Sequence, residues 1–569
     1  MMPYAPSLPA DAGLLPITIE VIGSALSTIV EEMGKAVIRA SCSTNIKERH
    51  DCSAAIFDAA GTIIAQAEHI PIHLGSLLGI VAHTLTRVDV NDIHPGDLFI
   101  GNDAYTGGGT HLNDVVFLEP VFVSGKLVAW VTNLAHHADF VDRGHAHIFQ
   151  EGLRIPPVRL HRAGVLQHDV LDLILLNFQS PDERLNDFRA QIAANRHGVQ
   201  RMQALCARHG AATVLHAAHH LVAYTERKTR AGIRDIPDGV YSFAERFDSG
   251  VTDILTLCAT VKVRGDEITF DFTGNPAQVR AGINLVRTGL LATVYFVVRA
   301  LVGHDIPANA GLHRPIHVIA PEGSVINAVA PAAVYSRTDT CQRLVDVILA
   351  ALAPALPERV CAACTGGGLV TISGTHPATG RFYVYNEMNG GGMGARSGLD
   401  GLDGVQVHTT NTANLPIEIL ESEYPLRVHD YALVRDSGGA GQWRGGMTFR
   451  REVEVYGHCA TASAGGTDNV IPPWGLFGGH AGLPGRVDLS AGVAPFVTRN
   501  GVLEAGQRLT NISAAGGGYG DPLQRDRALV LRDLREERIS REAAIKVYGL
   551  DPALADMTDP PWQQGTQLP

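Results

Sequence analysis

Residues Gly101–Asp142 read GNDAYTGGGTHLNDVVFLEPVFVSGKLVAWVTNLAHHADFVD, and this stretch decides the architecture that we predict. Two apolar runs, Val115–Val123 and Leu127–Leu134, flank a short turn, SGK at 124–126. Apolar runs around a short glycine-containing turn are typical of a β-hairpin. Because a hairpin returns the chain to its starting end, we expect the residues before the first strand to meet those after the second.

Polar side chains that can bind a metal fall at that end of the hairpin. His111 and Asp114 lie where the first strand starts, and His136 follows the second strand. Two imidazoles and a carboxylate suit a divalent metal such as manganese, iron or zinc, and three protein ligands leave room for water or substrate. The spacing therefore predicts a catalytic metal centre. The ligand assignment stays open because further candidates crowd the region: Asp103, Asp139, Asp142, His145 and His147.

A second hairpin, Cys52–Phe57 with Thr62–Ala67, is predicted upstream. Asp51 marks its start, and we expect Asp51 to reach the same end of the sheet as a metal ligand or as a base. His73 follows another histidine by four residues, but Pro71 between them favours extended or turn backbone over a helix. We therefore interpret His73 as a residue that lines the site beside the substrate.

Other stretches supply candidate substrate-binding residues. Arg154 is suited to clamp an anionic group, and a surface arginine is the alternative interpretation. Glu387 and Arg396 flank the glycine run at 390–392, where a ligand can approach the backbone closely. The polar run HTTNTAN at 408–414 is expected to face the same cavity.

Composition excludes several classes of function. The 569 residues include 46 Lys and Arg against 58 Asp and Glu, a net charge of −12, so we expect no nucleic-acid partner. No secretory signal and no apolar run of membrane-spanning length is visible, which predicts a cytoplasmic protein without a membrane partner. The eight cysteines are scattered, as reduced thiols would be. The lone pair Cys361-Ala-Ala-Cys364 is interpreted as structural rather than as a redox or zinc motif.

The pattern of elements predicts an α+β, multi-domain protein with mixed sheets, helical hairpins and a β-rich C-terminal half. A helical region over 169–232, broken near 180 and 210, indicates the helical hairpins. Other helices are predicted over Pro16–Ala40, Ser76–Val88, Thr288–Leu301 and Cys341–Leu356, and a loop over 43–51. The predicted division is an N-terminal metal-site domain with a helical segment (14–235), a middle α+β domain with the glycine-rich loop (236–420), a β-rich domain (421–521) and a helical tail (522–569).

Blocks of sequence along nearly the whole chain carry a family resemblance. They are PITIEVIG at Pro16, NIKERHDCSAAIFD at Asn45, AEHIPIHLGS at Ala67, GGTHLNDVVF at Gly108, NLAHHAD at Asn133, EGLRIPP at Glu151, DFTGN at Asp271, LDGVQVHTTNTANLPIE at Leu402, EYPLRV at Glu423, DSGGAGQWRGG at Asp436 and GGGYGDP at Gly516. In these blocks the chain resembles the hydantoinase B family. That family includes the beta chain of ATP-dependent N-methylhydantoinases, the corresponding part of 5-oxoprolinases and caprolactamases and, more distantly, a large component of acetone carboxylase.

The resemblance implies a metal site at His111, Asp114 and His136, with Asp51 beside it. It also implies a hetero-oligomer with a hydantoinase A-like partner that binds ATP, and the lack of a GxxxxGK[ST] phosphate loop in this chain fits that division. The implied reaction is hydrolysis of a cyclic amide, namely a hydantoin, 5-oxoproline or a lactam. The partner would phosphorylate the carbonyl oxygen, the metal would lower the pKa of the attacking water, and Asp51 or His137 would take its proton.

Two other functions are considered. One is a component of an ATP-dependent ketone carboxylase, for which the chain is shorter than expected. The other is a non-catalytic scaffold for the ATP-binding partner. Intact His111, Asp114 and His136 argue against a scaffold, since a scaffold does not need an open metal site.

Overall fold

The computed structural model describes residues 14–303, 305–494, 496 and 500–556, so the end of the predicted helical tail lies outside the described residues. The helices are α1 Pro16–Ala40, α2 Thr44–Lys47, α3 His73–Ser76, α4 Ile80–Arg87, α5 His168–Leu176, α6 Pro181–His209, α7 Ala211–Arg234, α8 Arg287–Val302, α9 Ala310–His313, α10 Arg337–Leu352, α11 Ile417–Glu423, α12 Arg527–Arg535, α13 Arg541–Lys546 and α14 Pro552–Ala555. Short 3₁₀ helices span Val90–Asp92, Ile148–Gln150 and Pro522–Gln524.

The strands fall into four sheets. In chain order they are β1 Cys52–Asp58, β2 Ile63–Glu68, β3 Leu98–Gly101, β4 Asp114–Val123, β5 Lys126–His136, β6 Val158–Arg162, β7 Val165–Leu166, β8 Gly239–Phe247, β9 Leu255–Arg264, β10 Glu267–Asp271, β11 Ile316–Ile319, β12 Gly368–Thr375, β13 Phe382–Asn389, β14 Leu426–Leu433, β15 Phe449–Val455, β16 Ala460–Gly466, β17 Arg486–Leu489, β18 Asn500–Leu503 and β19 Arg508–Ile512.

The predicted hairpin lies at the centre of a seven-stranded sheet with the order β2-β1-β5-β4-β3-β6-β7. The chain turns between β4 and β5 at Ser124 and Gly125, whose φ angles of 50° and 76° are left-handed. Two left-handed residues match the right-handed twist of the strands, as in a type I′ turn. With a one-residue register shift between Val121 and Phe122, the pairing that follows places Asp114 opposite His136. The hairpin prediction is confirmed.

Helices cover both faces of this sheet. On one face, Met33 of α1 and Met202 of α6 share a buried cluster with Ile56 of β1. On the other face, Ile80 of α4 shares a cluster with Trp130 of β5. Because successive residues of a strand point to opposite faces, a strand covered on both sides is buried along its whole length. That is the pattern of β1, in which all seven residues are buried.

The other three sheets form the remaining layers. Strands β11-β10-β9-β8 form a sheet that α10 contacts, and its residues share a core with α8 and α10. The sheets β13-β12-β16-β18 and β14-β15-β19-β17 contribute Ile372, Tyr385, Val453 and Leu509 to one cluster, so they pack against each other. These layers confirm the predicted α+β class and the β-rich C-terminal half. The predicted domain boundaries stay a prediction.

Three predicted elements are wrong in detail. The helix predicted over Ser76–Val88 begins only at Ile80, as α4, because Gly79 before it is left-handed at φ 86°; Ser76 is the last residue of the preceding short helix α3. The loop predicted over 43–51 contains the short helix α2. The helix predicted over Cys341–Leu356 begins at Arg337, because its polar first turn is buried and the apolar periodicity does not report it. Within the described residues, no helix has the length and apolar character needed to cross a membrane.

Candidate metal centre

The end of the central hairpin brings three predicted ligands together. Nε2 of His111 lies 3.1 Å from Oδ1 of Asp114, and the rings of His111 and His136 are 4.8 Å apart between centroids. The backbone N–H and the hydroxyl of Thr110 donate to the other carboxylate oxygen of Asp114, at 3.2 and 3.1 Å. The loop that follows the glycines at 107–109 thus holds the carboxylate of Asp114 in place.

Asp51 and His73 reach the same place from neighbouring elements. Asp51 immediately precedes β1, and its carbonyl accepts the backbone N–H of His136 at 3.0 Å. His73 opens α3, and its Nδ1 lies 2.8 Å from the hydroxyl of Ser53. Its Nε2 lies 3.9 Å from Oδ1 of Asp51. The pairing of β1 with β5 therefore adds a second carboxylate and a third imidazole to the cluster.

Burial sets the protonation of these groups. It lowers the pKa of His111 and holds the pKa of His136 well below its usual range, so both imidazoles are neutral. Burial opposes ionisation of Asp114, yet contacts with His111 and Arg337 hold the pKa of Asp114 well below its usual range. Burial and then the negative charge of Asp114 raise the pKa of Asp51 to about 7. A cation among these groups would relieve the repulsion between the two carboxylates.

Two arginines and an asparagine hold the cluster in place. The guanidinium of Arg337, at the start of α10, lies 3.4 Å from Oδ2 of Asp114. Arg49 donates to the amide oxygen of Asn45 at 2.7 Å, and Nδ2 of Asn45 lies 2.7 Å from Nδ1 of His136. These contacts fix the orientation of one candidate ligand carboxylate and one candidate ligand imidazole.

The cluster borders a cavity with an empty volume of about 610 Å³, including the solvent at its mouth. Asp51, His73, His111 and His136 line this cavity. The other lining residues are Arg49, Ile70, Ile72, Tyr335, Ser336, Arg337, Thr338, Asp339, Leu369, Asn386, Met388, Thr410 and Thr412. Of the polar run at 408–414, Thr410 and Thr412 line the cavity, whereas His408 contacts Asp346 instead.

The donor set fits a divalent transition metal in its chemistry. Neutral imidazoles and an ionised carboxylate are the forms that bind such metals. Among the described residues, the set of three whose ligand atoms all lie within 4.8 Å of one another is a different one: Asp346, Cys364 and His408. The ligand atoms at the hairpin end are therefore more widely spaced than those of a single bound ion.

Comparison with known proteins places this arrangement in a family. The Hydantoinase B/oxoprolinase family matches residues 15–522. The chain belongs to this family. It is 33% identical over 568 residues to the beta chain of the caprolactamase of Pseudomonas jessenii, covering 94% of this chain and 96% of that protein. It is 32% identical over 568 residues to the B-type component of a putative D-/L-hydantoinase of Pseudomonas sp. strain NS671, covering 94% and 95%.

Solved structures share the fold of this hydantoinase B family chain. The ATP-dependent caprolactamase from Pseudomonas jessenii superposes with a TM-score of 0.85 at 32% identity, covering 96% of this chain and 99% of that one. A nucleotide-free acetone carboxylase superposes with a TM-score of 0.84 at 18% identity, covering 94% and 80%. At that identity the second likeness shows the fold alone.

His137 lies away from the cavity of this family member. It follows His136 at the end of β5, and successive strand residues point to opposite faces. Its Nε2 lies 2.9 Å from Oε1 of Gln191, and its ring packs edge-on against Phe188 with centroids 5.2 Å apart. The structure thus puts His137 beneath α6 rather than beside Asp51.

The other predicted substrate-binding residues also lie outside the cavity lining. Arg154 forms a two-pronged ion pair with Asp103, with N–O distances of 3.0 to 3.2 Å. Glu387 is buried and accepts from Arg451 at 2.8 Å, because Asn386 and Met388 on either side of it take the cavity-facing positions of β13. Arg396 is exposed. The further ligand candidates do not line the cavity either: Asp103, Asp139, Asp142, His145 and His147.

Sequence reasoning did not single out several cavity residues of this family member. Arg49 lies in the stretch predicted as a loop, and Arg337 precedes the predicted start of its helix. Asn386 and Met388 are the neighbours of Glu387, and the period-two alternation of a strand is the signal that could have found them. No local signal marks Tyr335, which reaches the cavity through tertiary packing.

Proposed function

We propose that this chain is the metal-binding component of an ATP-dependent hydrolase that opens cyclic amides, namely hydantoins, 5-oxoproline or lactams. The observation that carries the proposal is the meeting of His111, Asp114 and His136 at the hairpin end, with Asp51, His111 and His136 lining one cavity. Membership of the Hydantoinase B/oxoprolinase family supports the substrate class. The relative named as an ATP-dependent caprolactamase supports the use of ATP.

The proposed enzyme is a hetero-oligomer with a hydantoinase A-like, ATP-binding partner. Two relatives that are named as the beta or B-type component of an enzyme match nearly the whole length of this chain, and such names imply a second component. The sequence carries no GxxxxGK[ST] phosphate loop. Phosphorylation of the amide carbonyl oxygen is therefore assigned to the partner, and attack by water on the activated carbon to this chain.

His111, Asp114 and His136 would hold one divalent transition metal, manganese, iron or zinc, which supplies Lewis-acid polarisation and lowers the pKa of water. Asp51 accepts the proton of the attacking water, because its carboxylate borders the cavity and its pKa is raised to about 7. His73 stays neutral, since burial lowers its pKa to about 4, and positions Asp51 and the substrate.

Two arginines give the cavity groups that bind a phosphoryl group. Arg49 and Arg337 line it together with the helix start at Ser336 and Thr338, although the carboxylates of Asp51 and Asp339 line it as well. Guanidinium groups and helix N-termini favour anions. A phosphoryl group on the substrate would bring negative charge next to them, and the apolar side chains of Ile70 and Ile72 would face the ring.

Two other functions each have one observation in their favour. The shared fold with acetone carboxylase favours a component of a ketone carboxylase, which would incorporate bicarbonate into its product. The wide spacing of the donors favours a non-catalytic scaffold. Labelled bicarbonate in the product separates the first from hydrolysis. The scaffold role would be supported if the His111→Ala variant assembled with the partner and kept its turnover.

The test is His111→Ala in the chain purified with its partner. We expect wild type to hold a transition metal at this site and to open a lactam or hydantoin at the expense of ATP. We expect His111→Ala to assemble normally, to lose that metal and to lose turnover below detection. His317→Ala, at a half-exposed strand position, is the matched control and should behave as wild type. Full turnover by His111→Ala would overturn the proposal.

A further inference from the structure

The most compact group of metal-ligating side chains among the described residues lies outside the cavity. The ligand atoms of Asp346, Cys364 and His408 all lie within 4.8 Å of one another. Nε2 of His408 is 2.7 Å from Oδ1 of Asp346. Cys361 lies beside this group, with its sulfur 3.9 Å from the sulfur of Cys364, but it is not one of the three residues whose ligand atoms all lie within 4.8 Å of one another. All four side chains are buried.

The spacing of the two sulfurs matches that of two ligands on one ion. With Zn–S bonds of about 2.3 Å, tetrahedral geometry sets two sulfurs about 3.8 Å apart. A disulfide would need a separation of about 2.05 Å, and both Cys361 and Cys364 are free thiols. In the sequence, two residues separate Cys361 from Cys364, and zinc sites use this separation.

The surrounding backbone orients these donors. The N–H of Gly394 donates to the sulfur of Cys364 at 3.2 Å. The N–H of Cys364 donates to Oδ1 of Asp346 at 3.2 Å. His408 has a left-handed backbone, φ 51°, a conformation that histidine adopts more often than most residues.

Charge balance also suits a bound dication. Two thiolates and one carboxylate carry three negative charges, and a divalent ion leaves one. Arg343 adds positive charge beside the group, since its guanidinium lies 3.4 Å from Oδ2 of Asp346, and it also pairs with the buried Asp468.

We propose that Cys361, Cys364, His408 and Asp346 bind one zinc ion as a closed, structural site, separate from the candidate catalytic metal. Thiolate ligands select zinc over manganese, and four protein ligands leave no position for substrate. The site joins three segments: α10, the stretch before β12 and the polar run at 408–414. Thr410 and Thr412 in that run, and Arg337 at the start of α10, line the cavity. Zinc here holds two walls of the cavity in place.

Cobalt substitution tests this proposal independently of the proposed function. Cobalt bound by thiolates gives an intense sulfur-to-metal charge-transfer band, whereas the donors at the hairpin end contain no sulfur. We expect cobalt-loaded wild type and cobalt-loaded His111→Ala to show the band, and Cys364→Ser to lose it. Cys459→Ser, at an exposed cysteine, is the matched control and should keep it.

Metal analysis supplies the second readout. We expect one equivalent of zinc to remain in His111→Ala and to be absent from His408→Ala, with a lower melting temperature in the latter. Absence of the charge-transfer band from both wild type and His111→Ala would overturn the proposal, as would a disulfide between Cys361 and Cys364 in the purified chain. Because His111→Ala leaves all four donors intact, it decides the question even if the cysteine variant does not fold.

Discussion

Two clusters of ligand-type side chains in this molecule differ in almost every physical respect. The hairpin-end cluster around His111 has nitrogen and oxygen donors, borders a cavity of about 610 Å³ and is loosely spaced. The cluster around Cys364 has two sulfurs, borders none of that cavity and is compact. An open set of hard and borderline donors suits chemistry on a substrate, whereas a closed set with thiolates suits structure.

The difference teaches that donor spacing and access to a cavity are separate criteria. A catalytic metal keeps a coordination position open to water or substrate, whereas a structural metal does not. In both kinds of site the protein donors lie about 2.0–2.3 Å from the ion, so the hairpin-end donors must move closer together to bind a metal. The same chain can carry both, and substitutions around the cavity test whether the hairpin-end cluster has the role that its openness indicates.

The largest effect is expected for Asp51→Asn. Replacing the proposed base by an amide removes the proton acceptor while keeping its size, so kcat should fall by about 10²–10⁴-fold with the partner present. The readout is ATP-dependent ring opening together with metal content. Asp253→Asn, an exposed aspartate, serves as the control.

Metal content separates two roles for Asp51. Retained metal with lost turnover supports the base. Loss of the metal together with turnover would make Asp51 a fourth ligand instead, which is the other role that its position before β1 allows. Unchanged turnover would remove Asp51 from the mechanism.

The sequence predicted the hairpin end well because local geometry determines it. Ser124 and Gly125 form a two-residue turn, which brings the far ends of β4 and β5 together. The exact pairing of Asp114 with His136 also depends on a one-residue register shift between Val121 and Phe122, which the turn alone does not predict. The start of β1 beside β5 adds Asp51 by the same logic of antiparallel neighbours.

The sequence predicted the rest of the site poorly for two physical reasons. The first is strand parity: Glu387 and His137 are each one residue from a cavity-lining position, and a shift of one residue reverses the face. The second is distance along the chain. Arg337 reaches Asp114 across more than two hundred residues, and His408 reaches Asp346 from a separate loop, through packing that no local pattern reports.

A moderate effect is expected for Asn45→Ala. The amide of Asn45 lies 2.7 Å from Nδ1 of His136 and fixes the ring that the proposed metal would use. Removing such an outer partner typically weakens metal binding by about 10–100-fold. We expect a metal titration of the apo chain to show that loss, with turnover restored at high metal concentration.

The control for Asn45→Ala is Asn411→Ala, which replaces an exposed asparagine in the polar run at 408–414. It should leave metal affinity unchanged. If both variants bind metal as wild type does, the ring of His136 is held by something other than Asn45, or His136 is not a ligand.

The smallest effect is expected for Arg154→Ala. The sequence suggested that Arg154 clamps an anionic substrate, but in the structure it pairs with Asp103 through both carboxylate oxygens. A partly exposed pair of this kind contributes about 0.2–1 kcal/mol to stability. Because Arg154 lies outside the cavity lining, the KM for the cyclic amide should change by less than about twofold. A twofold change in KM corresponds to about 0.4 kcal/mol of binding free energy. A KM raised tenfold or more, with Arg396→Ala unchanged, would mean that the substrate site extends beyond the cavity described by Asp51, His73 and His111.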